Sequence, residues 1–474
     1  MVASVQDNPR PEPGQVSAWR GVPGGHGACE VLAGCFGGLL ASLGIADPGP
    51  PHQMTDATFA PFRGLRYRGG LDSRTAPPYD VLDPEEASAF RARDPRNVVH
   101  LDLPVDVGDA TAASSGGLVG TAEPDEGVRA AHRHAATLID AWVSDGTLAV
   151  DPDPVFYLYR QGFRDASGRQ RQTTGVVGAL RIGDGGVRPH EETTKKASSD
   201  RLVSLEETRT NLSMIYGLSL ADGLGALLEP EGPPLLAVTD EDGVHHRLWE
   251  IRSPARIAAL AEVTGSAPVV IADGHHRYTV AASYLDAAGG GSVAGADRIM
   301  AFVVPLDPDF LVVRPIHRVL VEVGHDASGI RTLLGEIAEV VDLGPATVDL
   351  QDEPEAITFV LSDAVLRVTP RLRDLDRDRL AAEPEALRGL AVVWLHKIAL
   401  VHLGVSEVVF HHSPAVVGAR VRAGAAAAGV LLPPVSVDQI AAVAAAGERM
   451  PPKTTFFWPK ARTGVVMRRF ADQV

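Results

Sequence analysis

The densest group of chemically active side chains stands at Asp273-Gly274-His275-His276-Arg277. An apolar run, residues 268–272, precedes it and an alanine-rich segment follows, which predicts a strand, a tight turn and the start of a helix. The N-terminus of a helix presents unpaired backbone N–H groups and a partial positive charge. Gly274 lets a ligand approach the backbone, and the Arg277 guanidinium can hold a phosphate with two hydrogen bonds. The segment therefore predicts an anion site, with phosphate as the best-fitting anion.

A purely structural explanation covers only part of this segment. Aspartate is a good helix cap and glycine suits a turn, so Asp273 and Gly274 need no function. Two imidazoles and a guanidinium crowded into one helical turn are not explained in this way, which favours a functional site. Because a carboxylate repels a bare phosphate, Asp273 fits better as a ligand for Mg²⁺ or as the acceptor for a substrate hydroxyl.

A second polar segment, His190-Glu191-Glu192-Thr193-Thr194-Lys195-Lys196, precedes Asp200-Arg201. His190 and Glu191 beside two lysines are what proton transfer near an anion requires, and Arg201 could add a contact to the substrate. The segment is not a zinc motif of the His-Glu-x-x-His type, because residue 194 is threonine. A solvated loop with Ser199 or Asp200 capping the next helix explains the same residues equally well.

Two further segments could contribute to a phosphate site. In Ala76-Pro77-Pro78-Tyr79-Asp80 the prolines stiffen the backbone and would fix Tyr79 and Asp80, although an ordinary connector is slightly favoured. In Pro451-Pro452-Lys453-Thr454-Thr455, Lys453 and Thr454 could bind phosphate oxygens at the entrance of a strand. A single site requires Asp80, Glu191, Asp273 and Lys453 to lie close together.

Alternating helical and strand patterns predict an α/β or α+β fold with mixed sheets. Residues 97–103 and 298–305 are predicted strands, and residues 128–144, 200–215 and 383–404 are predicted helices. The Pro/Gly-rich stretch at 229–234 predicts a boundary between an N-terminal domain, residues 54–234, and a C-terminal domain, residues 235–474. Residues 1–53 have no sustained period and are interpreted as a non-native or disordered extension, with Met54 as the natural start.

Composition restricts the class of protein. The chain has 474 residues and a formal net charge of −16, which disfavours a sequence-independent nucleic-acid binder. Its two cysteines form no metal pattern and no disulfide framework. No run of apolar residues is long enough to predict a transmembrane helix, so we expect a cytoplasmic protein without a membrane partner. The oligomeric state is left open.

The motifs together resemble a known family. The segments at Tyr79-Asp80, His190-Glu191, Arg201-Leu202, Asn211-Leu212-Ser213, Asp273–Tyr278 and Lys453–Lys460, in this order, resemble the bacterial and archaeal family called domain of unknown function 1015. The resemblance runs from about residue 59 to the C-terminus. The family name implies no activity.

A more distant likeness implies one. The Asp-Gly-His-His-Arg turn that opens a helix resembles the ParB/sulfiredoxin superfamily, whose members bind nucleotide phosphates at this turn. The free-serine kinases of that superfamily fit better than the sulfiredoxins, which need a reactive cysteine. By this likeness Asp273, His275, His276 and Arg277 would hold the phosphates of the donor. Glu191 is a candidate base on its chemistry alone.

We therefore expect a small-molecule kinase that phosphorylates the hydroxyl of free serine or a similar metabolite. The donor would be a nucleotide or pyrophosphate, with Mg²⁺ screening its charge. Two alternatives stay open: a non-catalytic nucleotide-binding regulatory protein with the same turn, and a metal-dependent hydrolase that uses His275, His276 and Asp273.

Overall fold

The computed structural model describes residues 57–105, 126–165, 168–183, 185–189, 199–289, 293–346, 350 and 354–473. The strands are β1 Phe59–Ala60, β2 Leu65–Tyr67, β3 Leu148–Val150, β4 Phe156–Arg164, β5 Gln170–Arg181, β6 Val187–Pro189, β7 Thr210–Asn211, β8 Ile215–Ser219, β9 Leu236–Thr239, β10 His245–Ile251, β11 Val269–Asp273, β12 Arg298–Pro305, β13 Val312–Pro315, β14 His317–Val323, β15 Ala338–Gly344, β16 Ile357–Val360, β17 Val365–Pro370, β18 Val405–His411, β19 Ala428–Leu431, β20 Thr455–Trp458 and β21 Arg468–Arg469.

The helices are interspersed with these strands along the chain. They are α1 Leu71–Arg74, α2 Pro84–Arg93, α3 Val99–Asp102, α4 Glu126–Ser144, α5 Ser199–Thr208, α6 Pro254–Gly265, α7 His275–Ala287, α8 Ala327–Ile337, α9 Asp374–Ala381, α10 Glu385–Arg388, α11 Ala391–Trp394, α12 Leu400–His402, α13 Pro414–Arg422 and α14 Val437–Ala445. The mixed α/β class predicted from the sequence is confirmed. The predicted extension, residues 1–53, lies outside the described residues.

The larger sheet contains nine of the described strands in the order β6-β11-β8-β12-β5-β4-β10-β9, with β1 on β5. It is mixed, because β11 runs parallel to β6 and β12 runs parallel to β8 while the other pairs are antiparallel. Every residue of β12 is buried, as expected for a central strand that is covered on both faces. The sheet takes strands from both sides of residue 234, and the division into two domains there stays a prediction.

The second sheet is antiparallel and has the order β15-β17-β16-β19-β14-β18. Two short ribbons connect the end of the chain to earlier strands. β20 pairs with β13, and β21 pairs with β7 at Arg468↔Asn211. These pairings carry residues 455–469 back towards the larger sheet, which positions the C-terminal lysines discussed below.

Three predicted elements differ from the structure. Residues 97–103 were expected as a strand but contain the single helical turn α3, where the Asn97 side chain accepts a hydrogen bond from the Val99 N–H at 2.9 Å. The helix expected at 200–215 ends at Thr208 because Arg209 adopts a left-handed φ of 48°. The helix expected at 383–404 is interrupted at Gly389 between α10 and α11. The strand at 298–305 is confirmed as β12, and the helix at 128–144 is confirmed within α4.

A buried histidine in the second sheet predicts acid sensitivity. His317 is fully buried and accepts a hydrogen bond from the Leu432 N–H at 3.2 Å. Burial, reinforced by the charge of Arg318, lowers the pKa of His317 to about 3. In the unfolded chain this imidazole takes up a proton near its ordinary pKa of about 6.5, whereas the folded chain keeps it neutral. Stability contributed by neutral His317 is therefore present above pH 6.5 and is lost as the pH falls.

We expect the free energy of unfolding to fall by about 2 kcal/mol between pH 6.5 and pH 5 through His317 alone. Urea unfolding at both pH values measures the loss. His317→Asn should reduce this pH dependence, while His325→Asn, at an exposed position, should not. The same pH dependence in the His317 variant and in the wild type would contradict the assignment.

No described helix is long and apolar enough to cross a membrane.

Candidate functional site

The Asp-Gly-His-His-Arg segment forms the predicted strand, turn and helix. β11 ends at Asp273, and α7 begins at His275 and runs for 13 residues. Gly274 between them has φ 86° and ψ 26°, a left-handed conformation that favours glycine. A Cβ at this position would lie 2.9 Å from Ile215 Cγ2 and 3.1 Å from Arg277 Nε. The turn therefore requires glycine both for its backbone and for the space beneath it.

Asp273 lies between two cations. Its Oδ1 is 2.5 Å from Lys460 Nζ, and its Oδ2 is 2.9 Å from Arg277 Nη2. Burial raises the pKa of Asp273, but the charges of Lys460 and Arg277 outweigh burial and hold the pKa well below its usual range. The carboxylate is therefore ionised at neutral pH. Both carboxylate oxygens thus bind cations of the protein, and the predicted Mg²⁺ ligand role of Asp273 stays a prediction.

Arg277 holds the turn to the beginning of β8. Its Nη1 donates to the Met214 carbonyl at 2.5 Å and to Ser213 Oγ at 3.2 Å, in addition to the contact with Asp273. Burial lowers the pKa of Arg277, but Asp80 and Asp273 raise it above the ordinary value. Arg277 thus uses both terminal nitrogens within the protein, and the predicted hold on a phosphate by these atoms stays a prediction.

The Pro-Pro loop lies against the same arginine. Asp80 Oδ2 is 3.9 Å from Arg277 Nη2. The Tyr79 ring has the Arg201 guanidinium 4.2 Å from its centroid and that of Arg277 at 6.0 Å. Burial raises the pKa of Tyr79 to about 12, so the phenol is neutral at physiological pH. Tyr79 and Asp80 are therefore part of the surroundings of the turn.

Arg201 is the cation on the other side of Tyr79. Its Nη1 donates to buried Asp102 at 2.9 Å, and its Nη2 donates to Asp200 at 2.6 Å. Burial lowers the pKa of Arg201, but the two carboxylates raise it by more than burial lowers it. The guanidinium therefore keeps its charge. Asp102 has a pKa above its usual value, because burial outweighs the neighbouring Arg201 charge. This pair was not predicted from the sequence, where residues 97–103 were read as a strand.

Lys453 lies near His276. Burial lowers the pKa of His276 and the Lys453 charge lowers it further, while Asp80 acts in the opposite direction. His276 is therefore neutral at pH 7 and within the electrostatic range of both groups. Lys453 has a left-handed φ of 58°, which is uncommon for a residue with a side chain.

Thr454 is directed elsewhere. It is buried, and its hydroxyl donates to the Pro451 carbonyl at 2.6 Å within its own loop. Its side chain lines a cavity beside Leu390 and Leu432. The structure therefore brings Lys453 to the turn, and the predicted phosphate contact of Thr454 stays a prediction.

Lys460 ends a segment that carries the family resemblance, but no role in the site was predicted for it. It follows β20, and its carbonyl accepts a hydrogen bond from Gln161 Nε2 at 2.8 Å. Its Nζ forms the ion pair with Asp273 and lies 4.9 Å from the centre of the Phe456 ring. The available signal was the run Phe-Phe-Trp-Pro-Lys, which places a lysine at the end of an aromatic strand.

Two cavities flank the turn, one on the side of each cation that binds Asp273. The smaller, about 440 Å³, is lined by polar groups that include Tyr79, Asp102, Arg201, Ser213 and Arg277. The larger, about 1450 Å³, is lined by Lys460, by apolar and aromatic side chains that include Pro78, Val81, Phe456 and Trp458, and by charged side chains of both signs, among them Arg93, Arg314, Arg462, Glu86, Asp240, Glu241 and Asp242. Asp273 thus connects the cation of one cavity with the cation of the other.

The predicted catalytic pair His190 and Glu191 lies outside the described residues. Within the described part of the chain, no group of three or more histidine, cysteine, aspartate or glutamate side chains could hold a metal ion. The hydrolase alternative with His275, His276 and Asp273 stays a prediction.

The comparisons with known proteins give a family and distant structural likenesses. The model of the family described as "Protein of unknown function (DUF1015)" matches residues 59–390. A conserved hypothetical protein from Pyrococcus furiosus is 13% identical, with a TM-score of 0.32, 62% of this chain covered and 97% of that chain. A free serine kinase in complex with AMP is 14% identical, with a TM-score of 0.31 and coverage of 59% and 86%.

SbnI with a C-terminal truncation from Staphylococcus aureus is 16% identical, with a TM-score of 0.29 and coverage of 60% and 84%. At these TM-scores and identities the likenesses establish no function for this chain. The search of curated proteins gave no match. The matched family residues contain the turn but end before Lys453 and Lys460.

Proposed function

The chain belongs to the DUF1015 family, whose description names no activity, and we propose from the geometry of its turn that it is a small-molecule phosphotransferase. The acceptor in this proposal is the hydroxyl of free serine or a similar metabolite. The proposed setting is the cytoplasm, without nucleic acid or membrane as a partner.

One observation carries the proposal: an ionised carboxylate, Asp273, bridges Lys460 and Arg277 at the N-terminus of a 13-residue helix. The first N–H groups of α7 have no partner in the helical ladder and attract anions. Lys460 and Lys453 add positive charge from a distant part of the chain. A group transfer that moves negative charge from one oxygen to another needs such fixed cations beside a carboxylate that can orient a hydroxyl.

The residues take complementary roles in the proposed reaction. The donor's terminal phosphate lies at the start of α7, and Lys460 faces the leaving oxygen. Asp273 accepts a hydrogen bond from the acceptor hydroxyl and directs its oxygen towards phosphorus. The new O–P bond forms as the bond from phosphorus to the donor's bridging oxygen breaks, and the hydroxyl proton passes to Glu191. Mg²⁺ stays an expectation for the donor, and no step assigned here uses it.

The shapes and linings of the two cavities favour particular partners. A pyrophosphate donor would leave most of the larger cavity unused, whereas the Phe456 and Trp458 walls suit a nucleoside. The smaller cavity is lined by a guanidinium, Arg201, and a carboxylate, Asp102, which pair with each other at 2.9 Å. Such a pair suits an acceptor with both a carboxylate and an ammonium group, as in free serine.

Turnover tests the proposal directly. The full chain is incubated with Mg²⁺, L-serine and, in separate samples, ATP, ADP or pyrophosphate, and phosphoserine is followed by phosphorus NMR. Acceptor-dependent phosphoserine with a nucleotide is expected. Saturable nucleotide binding without turnover on any hydroxyl acceptor would favour the regulatory alternative, and hydrolysis that depends on a stoichiometric transition metal would favour the hydrolase.

A further inference from the structure

A second charged concavity lies on the larger sheet. It is lined by residues of β4, of β5 with the loop before it, and of β10, and it encloses about 790 Å³. We call it the arginine hollow and define it by Arg160, Arg169, Arg171, Arg247 and His245. Asp309 is the one carboxylate among its lining residues. Four arginine residues thus line one hollow of a chain with a formal net charge of −16.

Two of these arginines stand directly opposite each other. Arg247 of β10 is paired in register with Arg160 of β4. Like charges opposite each other in an antiparallel pair repel and destabilise the sheet. Burial lowers the pKa of Arg160, and the charge of Arg247 lowers it further against the opposing effect of Glu229. An anion between the two guanidinium groups would remove this repulsion.

The described protein groups do not neutralise the hollow. Arg160 donates to Thr174 Oγ1 at 3.0 Å and to the Leu228 carbonyl at 3.4 Å, both of which are uncharged. Arg171 donates to the Pro308 carbonyl at 3.1 Å. None of the four guanidinium groups forms an ion pair with a carboxylate in the described part of the chain. The side chains of Arg169 and Arg247 make no hydrogen bond with a described residue.

The floor of the hollow is open. Gly162 follows Arg160 by two residues on β4, so it lies on the same face, and it pairs with His245 and Gln172. A Cβ added at Gly162 would meet no atom closer than 4.0 Å. The absence of a side chain there leaves room for a ligand between the arginines.

The hollow is separate from the turn. Residues on a strand alternate between its two faces, so Arg160 and Gly162 face away from Tyr159 and Gln161. Tyr159 Oη accepts a hydrogen bond from the Arg462 N–H at 3.3 Å, and Gln161 donates to the Lys460 carbonyl. The face opposite the hollow therefore holds the segment that carries Lys460.

We propose that the arginine hollow is a second binding site, for a small molecule that carries two or more phosphate groups. One guanidinium group can donate two hydrogen bonds to the oxygens of one phosphate. Several arginines around one concavity therefore favour a ligand with several phosphates. The concave shape and the limited volume suit a compact polyanion better than an extended nucleic-acid strand. The ligand occupies a different face of the sheet from the proposed donor.

Isothermal titration calorimetry of the full chain with inorganic tripolyphosphate tests the site. The double variant Arg169→Gln with Arg247→Gln should bind at least roughly tenfold more weakly than the wild type, because two charge-assisted contacts are lost. Arg252→Gln is the matched control, since Arg252 lies just beyond β10 and pairs with Glu250 outside the hollow.

Three results would overturn the proposal. They are no binding of tripolyphosphate to the wild type, equal affinity in the double variant, and tighter binding of a short single-stranded RNA than of tripolyphosphate with the same sensitivity to the double variant. Circular dichroism of each variant verifies the fold, and the substitution at Arg247 removes no buried side chain, because Arg247 is exposed.

Discussion

Asp273→Asn is expected to lower turnover by at least about a thousandfold while the fold stays intact. Asparagine has almost the same shape as aspartate, but it carries no charge to hold Lys460 and Arg277 at their observed separations of 2.5 and 2.9 Å. It also replaces an ionised hydrogen-bond acceptor with a weaker one towards the substrate hydroxyl. Phosphoserine formation under saturating donor and acceptor measures the loss, and circular dichroism with thermal unfolding measures the fold.

Asp140→Asn is the matched control for this change. Asp140 also pairs with an arginine, Arg469, at 2.9 Å, but its side chain is 77% exposed. Wild-type turnover is expected from the Asp140 variant. Full turnover in the Asp273 variant would show that Asp273 takes no part in the reaction.

Lys460→Gln is expected to lower kcat/KM for the donor by roughly a hundredfold. The substitution removes the cation that faces one oxygen of Asp273, and with it the proposed partner of the leaving oxygen. It also removes the largest favourable charge that lowers the pKa of Asp273. The pKa of Asp273 therefore rises, and the acid limb of the pH–rate profile should move to higher pH than in the wild type.

Lys397→Gln controls for loss of a lysine charge. Lys397 pairs with Glu383 at 2.6 Å, and its side chain is 48% exposed. Its variant should keep the wild-type rate and pH profile. A Lys460 variant with an unchanged acid limb would show that Lys460 does not set the ionisation of Asp273, even if the rate falls.

The local part of the site could be predicted because it is encoded in one continuous segment. An apolar run, an Asp-Gly pair and an alanine-rich stretch define strand, turn and helix by short-range rules. Gly274 has the left-handed backbone that such a turn needs, and α7 begins at the next residue. The neighbours of this segment in space required information that short-range patterns do not hold.

Lys460 shows what was missed. It is 187 residues from Asp273 in the sequence, and it reaches that carboxylate because β20 pairs with β13. Arg277 donates to the Met214 carbonyl, which lies between the end of α5 at Thr208 and the start of β8 at Ile215. The helix predicted to residue 215 would have placed Met214 in its last turn, so the position of this carbonyl depends on an element boundary that periodicity placed too late.

The sequence of α3 gave a similar error with a consequence for the site. Val98, Val99 and Leu101 have the composition of a strand, but tertiary packing buries them in a helical turn. That turn directs Asp102 to Arg201 at 2.9 Å. The smaller cavity therefore obtains its carboxylate from a segment whose local pattern predicted a different backbone.

The most direct test of the account is a crystal structure of the full chain with ADP. The account predicts the terminal phosphate at the start of α7, within hydrogen-bonding distance of its first N–H groups and of Lys460 or Lys453, with the nucleoside in the larger cavity beside Trp458. A nucleotide bound elsewhere at saturating ADP, with no phosphate at the Asp273–Arg277 turn, would contradict the account.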